Sequence, residues 1–170
     1  PQKLAVISSN TAAGYGDFVN QLDNNVHGYK FYHKLYSAVM QGADAVESVV
    51  SALNCIELSG TPYDAVIIIR GGGSVADLNC FDSYEMARAV AVFPIPVITG
   101  IGHDRDNSVV DRTAHTSLKT PTAVAEYLIG VFRRYEDELN AIQRRISTSA
   151  NNLIIKEKAR TDTIASKIAH

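Results

Sequence analysis

One apolar run constrains the fold of this chain more than any other feature. Residues Ala65 to Ile69 read Ala-Val-Ile-Ile-Ile, and the run stops abruptly at Arg70 and three glycines. Consecutive apolar, β-branched residues are typical of a strand that is buried on both faces of a parallel sheet. Such a strand needs a layer of helices on each side of it. The run therefore predicts an α/β domain of three layers.

The segments around this run alternate between strand and helix patterns. Apolar or alternating stretches predict strands at residues 3–8, 29–36 and 97–99, and helical spacing predicts helices at 11–22, 43–58 and 83–92. Asp82 and Glu85 have the spacing of a capping box for the third of these helices. We predict a doubly wound, mostly parallel sheet with strand order 2-1-3-4, which brings the loops after strands one and three together.

The C-terminal part of the chain predicts one long helix. Thr120 can cap it, Pro121 can occupy its first turn, and Gly130 is its one internal glycine. Because apolar residues recur there at alternating spacings of four and three, we predict a coiled-coil arm, with a helix packed on its own domain as the alternative. The resulting domains are 1–119, an α/β domain, and 120–170, a long helix that starts a coiled-coil arm. The apolar seam consists of Leu128, Phe132, Tyr135, Leu139, Ile142, Ile146, Ala150 and Leu153, is interrupted at Glu157 and Arg160, and returns at Ile164 and Ile168.

Composition narrows the possible settings and partners. The formal net charge of −2 gives no overall basic signature, so any recognition of phosphate must be local. Cys55 and Cys80 are too few for a disulfide framework and lack the paired spacing of a zinc site, which favours a reducing cytoplasm. No apolar run is long enough to span a membrane. Because the chain starts at Pro1 and ends inside a helical pattern, we expect it to be a fragment of a longer protein.

Polar loops follow the predicted strands at the edge where open α/β sheets bind ligands. Arg70 and the three glycines after it can offer a guanidinium and backbone amides to phosphate oxygens, although glycine runs also arise for steric reasons. His103 can transfer a proton if Asp106 orients its ring; alternatively it satisfies loop carbonyls. Asp17 lies about 9 Å along the first predicted helix and must lie on the correct face to contribute. Asp111 and Arg112 either contribute or form a solvated helix start.

The order and spacing of these motifs resemble the large subunit of exonuclease VII. That resemblance implies hydrolysis of single-stranded DNA from either end to short oligonucleotides, without an essential metal, although Mg²⁺ remains possible. It also implies a small subunit bound in several copies along the C-terminal helix, and the seam allows self-association. The motifs are Ile69-Arg70-Gly71-Gly72-Gly73-Ser74 with Asp77-Leu78, Pro94-Ile95-Pro96-Val97-Ile98, Gly102-His103-x-x-Asp106, and Thr120-Pro121-Thr122-Ala123 with Glu126.

The resemblance assigns expected roles to individual residues. The expected catalytic residues are Asp17, Arg70, His103 and Asp106, and the expected phosphate or DNA contacts are Ser9, Thr11, Gly71, Gly72, Gly73, Ser74 and Arg105.

The sequence also departs from the family pattern, and other functions compete. The first loop has Asn10 and Ala12, where the family often has proline and glycine, and Asp104 and Arg105 stand where glutamate and threonine are usual. A nucleotide- or phosphate-binding module without catalysis is the main alternative. A metal phosphohydrolase would need further histidines at matching helical positions. A purely structural assembly protein would leave the clustered loops unexplained.

Overall fold

The structure is a computed structural model that describes residues 1–71, 75–102 and 108–168, apart from the side chains of 75–77. The strands are β1 (Lys3–Ser8), β2 (Tyr32–Ser37), β3 (Ala65–Ile69), β4 (Val97–Gly100) and β5 (Thr116–Leu118). The helices are α1 (Ala13–Asp23), α2 (Ala45–Leu58), α3 (Tyr84–Ala91), α4 (Val109–Thr113) and α5 (Pro121–Ile168), with a 3₁₀ helix at Val75–Asp82.

The five strands form one parallel sheet in the order β2-β1-β3-β4-β5. The predicted order 2-1-3-4 is confirmed, and β3 has the predicted bounds. The fifth strand was not predicted, because Thr-Ser-Leu is too short and too polar to give a strand pattern. Its pairing with β4, in which Gly100 lies opposite Leu118, extends the sheet by one strand.

Helices cover both faces of the sheet, as the uniformly apolar β3 predicted. Because successive strand residues face opposite sides, each buried strand contributes to two separate layers of side chains. Burying one Leu, Ile or Phe side chain contributes roughly 1.5–3 kcal/mol, so both layers stabilise the domain. One layer contains Ala5, Ile7, Val66 and Ile68 with Val49, Leu53, Phe81, Met86 and Val110; the other contains Leu4, Val6, Ile67 and Ile69 with Phe18, Leu22, Val124 and Leu128.

Gly100 brings the start of α5 close to the sheet. A Cβ atom on Gly100 would lie 2.6 Å from Cγ2 of Val124 and 3.0 Å from the carbonyl oxygen of Thr120. The predicted cap of this helix is confirmed, because the backbone N–H of Ala123 donates to Oγ1 of Thr120 at 3.1 Å. The glycine at the end of β4 therefore permits the packing of α5 on this strand.

The predicted capping box of Asp82 and Glu85 is wrong. Ser83 is the N-cap residue of α3, and its side chain makes no capping hydrogen bond. Asp82 instead ends the preceding 3₁₀ helix, and its Oδ1 accepts a hydrogen bond from the backbone N–H of Val109 at 2.9 Å. Asp82 therefore stabilises the start of α4, which is distant in sequence, rather than the start of α3.

The chain divides into two compact units, Pro1–Val131 and Phe132–His170. Within the first unit, α5 buries Val124 and Leu128, so the helix begins by packing on its own domain. In the second unit the seam residues from Tyr135 onward are exposed. The coiled coil, and the division into a catalytic domain at 1–119 and an assembly arm at 120–170, stay predictions.

Candidate functional site

The carboxyl ends of the parallel strands bring separate loops to one edge of the sheet. The backbone N–H of Arg70 donates to the carbonyl oxygen of Gly100 at 3.2 Å, which joins the residue after β3 to the end of β4. At the end of β1, the carbonyl oxygen of Ser8 accepts from the N–H of Ala38 at 3.0 Å. The loops that follow β1, β2, β3 and β4 therefore all start at one edge of the sheet.

Arg70 is buried where two clefts approach each other, with 5 % of its surface exposed. The larger cleft has a volume of about 510 Å³ and is lined by the loop after β1, the loop after β2, and Arg70 with Gly71. The smaller cleft, about 190 Å³, is lined by Arg70, Gly102, Lys119 and other residues. Because a guanidinium keeps its charge in proteins, Arg70 places a fixed cation between the clefts.

Gly71 brings the start of α1 against the residue that follows Arg70. A Cβ atom on Gly14 would lie 2.5 Å from Cα of Gly71, and a Cβ atom on Gly71 would lie 2.8 Å from Cα of Gly14. The steric interpretation of the glycine run therefore holds for Gly71. The same contact places the first turn of α1, whose N-cap residue Ala12 makes no side-chain capping bond, next to the arginine loop. Helix N-termini carry partial positive charge and favour anions.

Ser9 and Thr11 line the larger cleft together with Arg70. Their hydroxyl oxygens are 3.3 Å apart, so the two side chains form a polar pair in the loop after β1. Asp17 lies one turn beyond Gly14, about 4.5 Å along the helix axis, and its side chain is exposed. The structure thus brings Ser9, Thr11 and Arg70 together, while the catalytic role of Asp17 stays a prediction.

The remaining predicted site residues lie outside the described residues. They are Gly72, Gly73, Ser74, His103, Arg105 and Asp106.

Both neighbours of the segment 103–107 are placed at the same edge. Gly102 has a φ of +89°, a conformation that favours glycine, and a Cβ atom there would lie 3.4 Å from the carbonyl oxygen of Lys119. Ser108 caps α4. The two described residues that flank positions 103–107 therefore lie beside the smaller cleft, for Gly102, and at the start of α4, for Ser108.

A buried carboxylate ties the end of this segment to the sheet. Asp111 is 8 % exposed, so a solvated helix start does not describe it. Its Oδ1 accepts from the Thr99 hydroxyl at 2.6 Å, and its Oδ2 accepts from the Ser108 hydroxyl at 2.8 Å. Ser108 and Asp111 also form a complete capping box, a pattern that their spacing in the sequence could have revealed. Arg112, in contrast, is exposed.

Lys119 is a cationic residue that sequence reasoning missed. It follows β5 directly and lines the smaller cleft with Arg70. Because the short β5 gives no strand pattern, the sequence offers no signal that Lys119 reaches this edge. Two basic side chains from distant segments thus border one cleft.

Metal centres and membrane spans are two further kinds of site that the chain could contain. In the part of the chain that the structure describes, no group of three His, Cys, Asp or Glu side chains is placed to hold a metal ion, and Asp104 and Asp106 lie outside that part. None of the described helices is both long and apolar enough to cross a membrane.

Comparisons with known proteins identify relatives along the whole chain. The family model described as "Exonuclease VII, large subunit" matches residues 1–170. A protein of Nostoc sp. named "Exodeoxyribonuclease 7 large subunit" is 45 % identical over 130 residues, which cover 76 % of this chain and 31 % of the relative. Proteins of the same name from Pseudomonas entomophila and a Cyanothece species are 31 % and 35 % identical, covering 100 % and 90 % of this chain. The chain spans about a third of the length of these relatives, 31–37 %.

Proposed function

The chain belongs to the exonuclease VII large-subunit family, and on that premise we propose that it supplies the catalytic part of an exodeoxyribonuclease. The proposed reaction is hydrolysis of phosphodiester bonds in single-stranded DNA, from either end, to short oligonucleotides. The observation that carries the proposal is the position of Arg70, which is buried between two clefts at the edge where the loops after β1, β3 and β4 start.

The scissile phosphate is proposed to bind against fixed positive charge. Arg70 supplies a guanidinium with a fork of donors, and the adjacent start of α1 supplies the partial charge of a helix N-terminus. The amides of Gly71, Gly72 and Gly73 are proposed to complete the site. Because these donors are held in place before substrate arrives, they stabilise charge that develops on the phosphate without further reorganisation.

Proton transfer is assigned to His103, with Asp106 holding its ring in one tautomer. In the proposed step a water oxygen forms a bond to phosphorus while the bond to the leaving sugar oxygen breaks. His103 transfers a proton during this exchange, so that the leaving oxygen ends as a hydroxyl group. Asp17, one turn beyond Gly14, is the fourth proposed catalytic residue, and Ser9, Thr11, Ser74 and Arg105 are proposed DNA contacts.

A divalent metal is proposed to be dispensable, because the site supplies cationic and amide donors of its own. The competing mechanism uses carboxylates such as Asp104 and Asp106 to hold Mg²⁺ together with the substrate phosphate. The two mechanisms predict opposite responses to a chelator. Single-strand cleavage that survives excess chelator supports the first, and loss of cleavage with rescue by Mg²⁺ supports the second.

The proposal is tested in the full-length large subunit assembled with its small subunit. End-labelled single-stranded DNA should be degraded and a matched duplex should not. The substitution His103→Ala should lower turnover by roughly a hundredfold or more, as expected for the loss of a general acid or base. Arg70→Ala should lower it strongly, whereas the control Arg88→Ala, which removes an exposed arginine on α3, should not. Saturable binding of mononucleotides without cleavage would instead support a non-catalytic phosphate-binding module.

The arm is proposed to bind partners through its apolar seam. The expected partner is the small subunit of exonuclease VII, in several copies along α5, with self-association as a second use of the same seam. A reducing cytoplasm is the proposed setting, consistent with Cys55 and Cys80 not being joined in a disulfide.

A further inference from the structure

Strand β2 is one of the two edge strands of the described sheet, and exposed basic and aromatic side chains lie on it and just before it. Lys30, Tyr32 and Lys34 are all exposed, and Tyr32 leaves 56 % of its surface accessible. Exposed lysines on an outer strand also discourage pairing with other strands, which is the simplest structural explanation for them. An exposed tyrosine between two lysines is not required for that purpose.

The backbone of β2 offers hydrogen-bonding groups along its outer side. The N–H of Tyr32 donates to Gln2 at 2.8 Å, and the N–H of Ala38 donates to Ser8 at 3.0 Å, so the even-numbered residues bond toward β1. In a parallel pair, alternate residues direct their backbone groups to opposite sides of the strand. His33, Leu35 and Ser37 therefore direct their N–H and C=O groups away from β1.

The aromatic side chains at this edge are supported by neighbouring residues. The rings of Tyr36 and Tyr63 meet edge to face at 6.1 Å, and their hydroxyl groups are 3.0 Å apart. The ammonium group of Lys34 lies 5.1 Å from the centre of the Tyr36 ring, a cation–π distance. On α1, the hydroxyl of Tyr15 lies 3.4 Å from Nδ1 of His33. These contacts hold Lys34 and His33 at the strand rather than leaving them free in solvent.

The outer side of β2 is continuous with the candidate site. Ser37 ends the strand, and Ser37 to Gln41 line the larger cleft together with Arg70. From Lys30 to Ser37 an extended chain spans roughly 23 Å, which is long enough to contact several nucleotides. We call this outer side, residues 30–37, the β2 edge. It leads from a lysine at one end into the cleft at the other.

We propose that the β2 edge guides single-stranded DNA into the cleft that contains Arg70. This inference rests on the proposed nuclease function. Lysine side chains contact phosphates, and an aromatic face stacks on an unpaired base, a combination typical of single-strand binding grooves. A duplex keeps its bases stacked inside the helix, so Tyr32 has no base to stack on. The β2 edge therefore favours single strands before any bond is cut.

Neighbouring carboxylates restrict where the phosphates run. Asp44 and Glu47 line a separate groove of about 440 Å³ beside Tyr36 and Ser37. Their charge disfavours phosphates inside that groove, so the DNA backbone contacts Lys30 and Lys34 at the strand rather than the start of α2.

The test uses the full-length large subunit assembled with its small subunit. The paired change Tyr32→Ala and Lys34→Glu should raise KM for a long single strand by about tenfold and leave kcat within about twofold, because stacking and phosphate contacts act on binding. A short chromogenic substrate, thymidine 5′-p-nitrophenyl phosphate, is too small to reach the β2 edge and should be hydrolysed at the unchanged rate. A long strand with 5-iodouracil should crosslink by light to the peptide that contains Tyr32.

A matched control lies on α3, where Tyr84 is 80 % exposed and Arg88 is an exposed cation one turn away. Tyr84→Ala with Arg88→Glu makes the same chemical changes and should alter neither KM nor crosslinking. Equal effects of the β2 variant and the α3 control variant on KM would overturn the inference. So would an unchanged KM together with no crosslink at Tyr32. A β2 variant that fails to assemble with the small subunit but binds DNA normally would also overturn it. Crosslinking does not require cleavage, so a crosslink at Tyr32 without turnover would contradict the catalytic proposal alone.

Discussion

The two compact units of this chain differ in how far their apolar side chains are exposed to solvent. In residues 1–131, the apolar side chains of β1 and β3 and of the helices beside them lie in buried layers. In residues 132–168, the seam leaves Tyr135, Leu139, Ile142 and Ile146 between 50 % and 64 % exposed. The first unit packs most of its apolar strand and helix residues against one another, apart from scattered exposed ones such as Val26, Leu58 and Val92. The second presents a stripe whose burial requires another helix.

The same comparison applies to charge. Residues 1–131 contain eight Lys and Arg against thirteen Asp and Glu, a net charge of −5, whereas residues 132–170 contain eight against five, a net charge of +3. An acidic domain repels DNA at long range, so the proposed recognition of phosphate depends on local features such as Arg70 and the β2 edge. The overall value of −2 conceals this difference.

The largest expected effect is on assembly through the arm. The triple change Leu139→Asp, Ile142→Asp and Ile146→Asp replaces three apolar side chains with charge. Each lost burial is worth at least about 1.5 kcal/mol, so association should weaken by roughly a thousandfold or more, measured by sedimentation of the full-length protein. The melting temperature of the α/β unit should remain unchanged.

A control variant introduces the same three aspartates on another face of the helix. The changes are Asn140→Asp, Ser147→Asp and Asn151→Asp, at positions that are exposed. Those variants should assemble normally. If the unaltered protein sediments as a strict monomer without any bound subunit, the coiled-coil prediction is wrong.

The next largest effect concerns packing inside the first unit. Gly100→Val would force a side chain into Val124 and Thr120, and we expect a loss of about 3 kcal/mol in the free energy of unfolding, measured with urea. Gly130→Ala is the control, because a Cβ atom there meets nothing within 4 Å. That change should stabilise the helix by up to about 1 kcal/mol. Equal tolerance at both glycines would contradict the packing of α5 on β4.

A smaller effect is expected at the buried carboxylate. Asp111→Asn replaces one acceptor with an N–H donor that faces the hydroxyl of either Thr99 or Ser108, so we expect a loss of about 2 kcal/mol in unfolding free energy. The turnover rate should fall by more than the loss of folded protein accounts for, because Ser108 directly follows the segment that contains His103. On the exposed arm, Asp137→Asn should change neither quantity. Unaltered stability of Asp111→Asn would show that this network does not stabilise the fold.

The smallest expected effect is a pH-dependent change in stability at Asp64, which lies beside the start of β1. Hydrogen bonds from the backbone N–H groups of Lys3 and Gln2 lower the pKa of Asp64 below its usual 3.8. A carboxyl with a lowered pKa stabilises the fold above its unfolded pKa, and this contribution is lost as pH falls through the folded value. The melting temperature of Asp64→Asn should therefore lie slightly below that of the unaltered chain at pH 7, and the two should converge as pH falls through the lowered pKa of Asp64. A difference that grows on acidification would contradict this assignment.

Local sequence patterns were sufficient to predict most of the strands and helices of the fold. The apolar runs of β1 and β3 and the helical spacing in α2 depend only on neighbouring residues, and the structure has these elements close to their predicted bounds. Three elements were not predicted: the 3₁₀ helix at Val75–Asp82, and α4 and β5, which have only five and three residues. The elements α4 and β5 are little more than one helical or strand repeat long, which is too short to show a repeating pattern. Pairing with β4 and the capping box of Ser108 determine them instead.

The sequence by itself determined the α/β class, the long helix, and the identity of Arg70 and Gly71 as residues of a polar loop after a buried strand. Only the tertiary structure decided that Arg70 is buried between two clefts, that Gly71 packs against Gly14, and that Lys119 borders the same cleft. The physical reason is that side-chain periodicity is a local property of the chain. Which loops meet at one edge depends instead on the order in which distant strands pair.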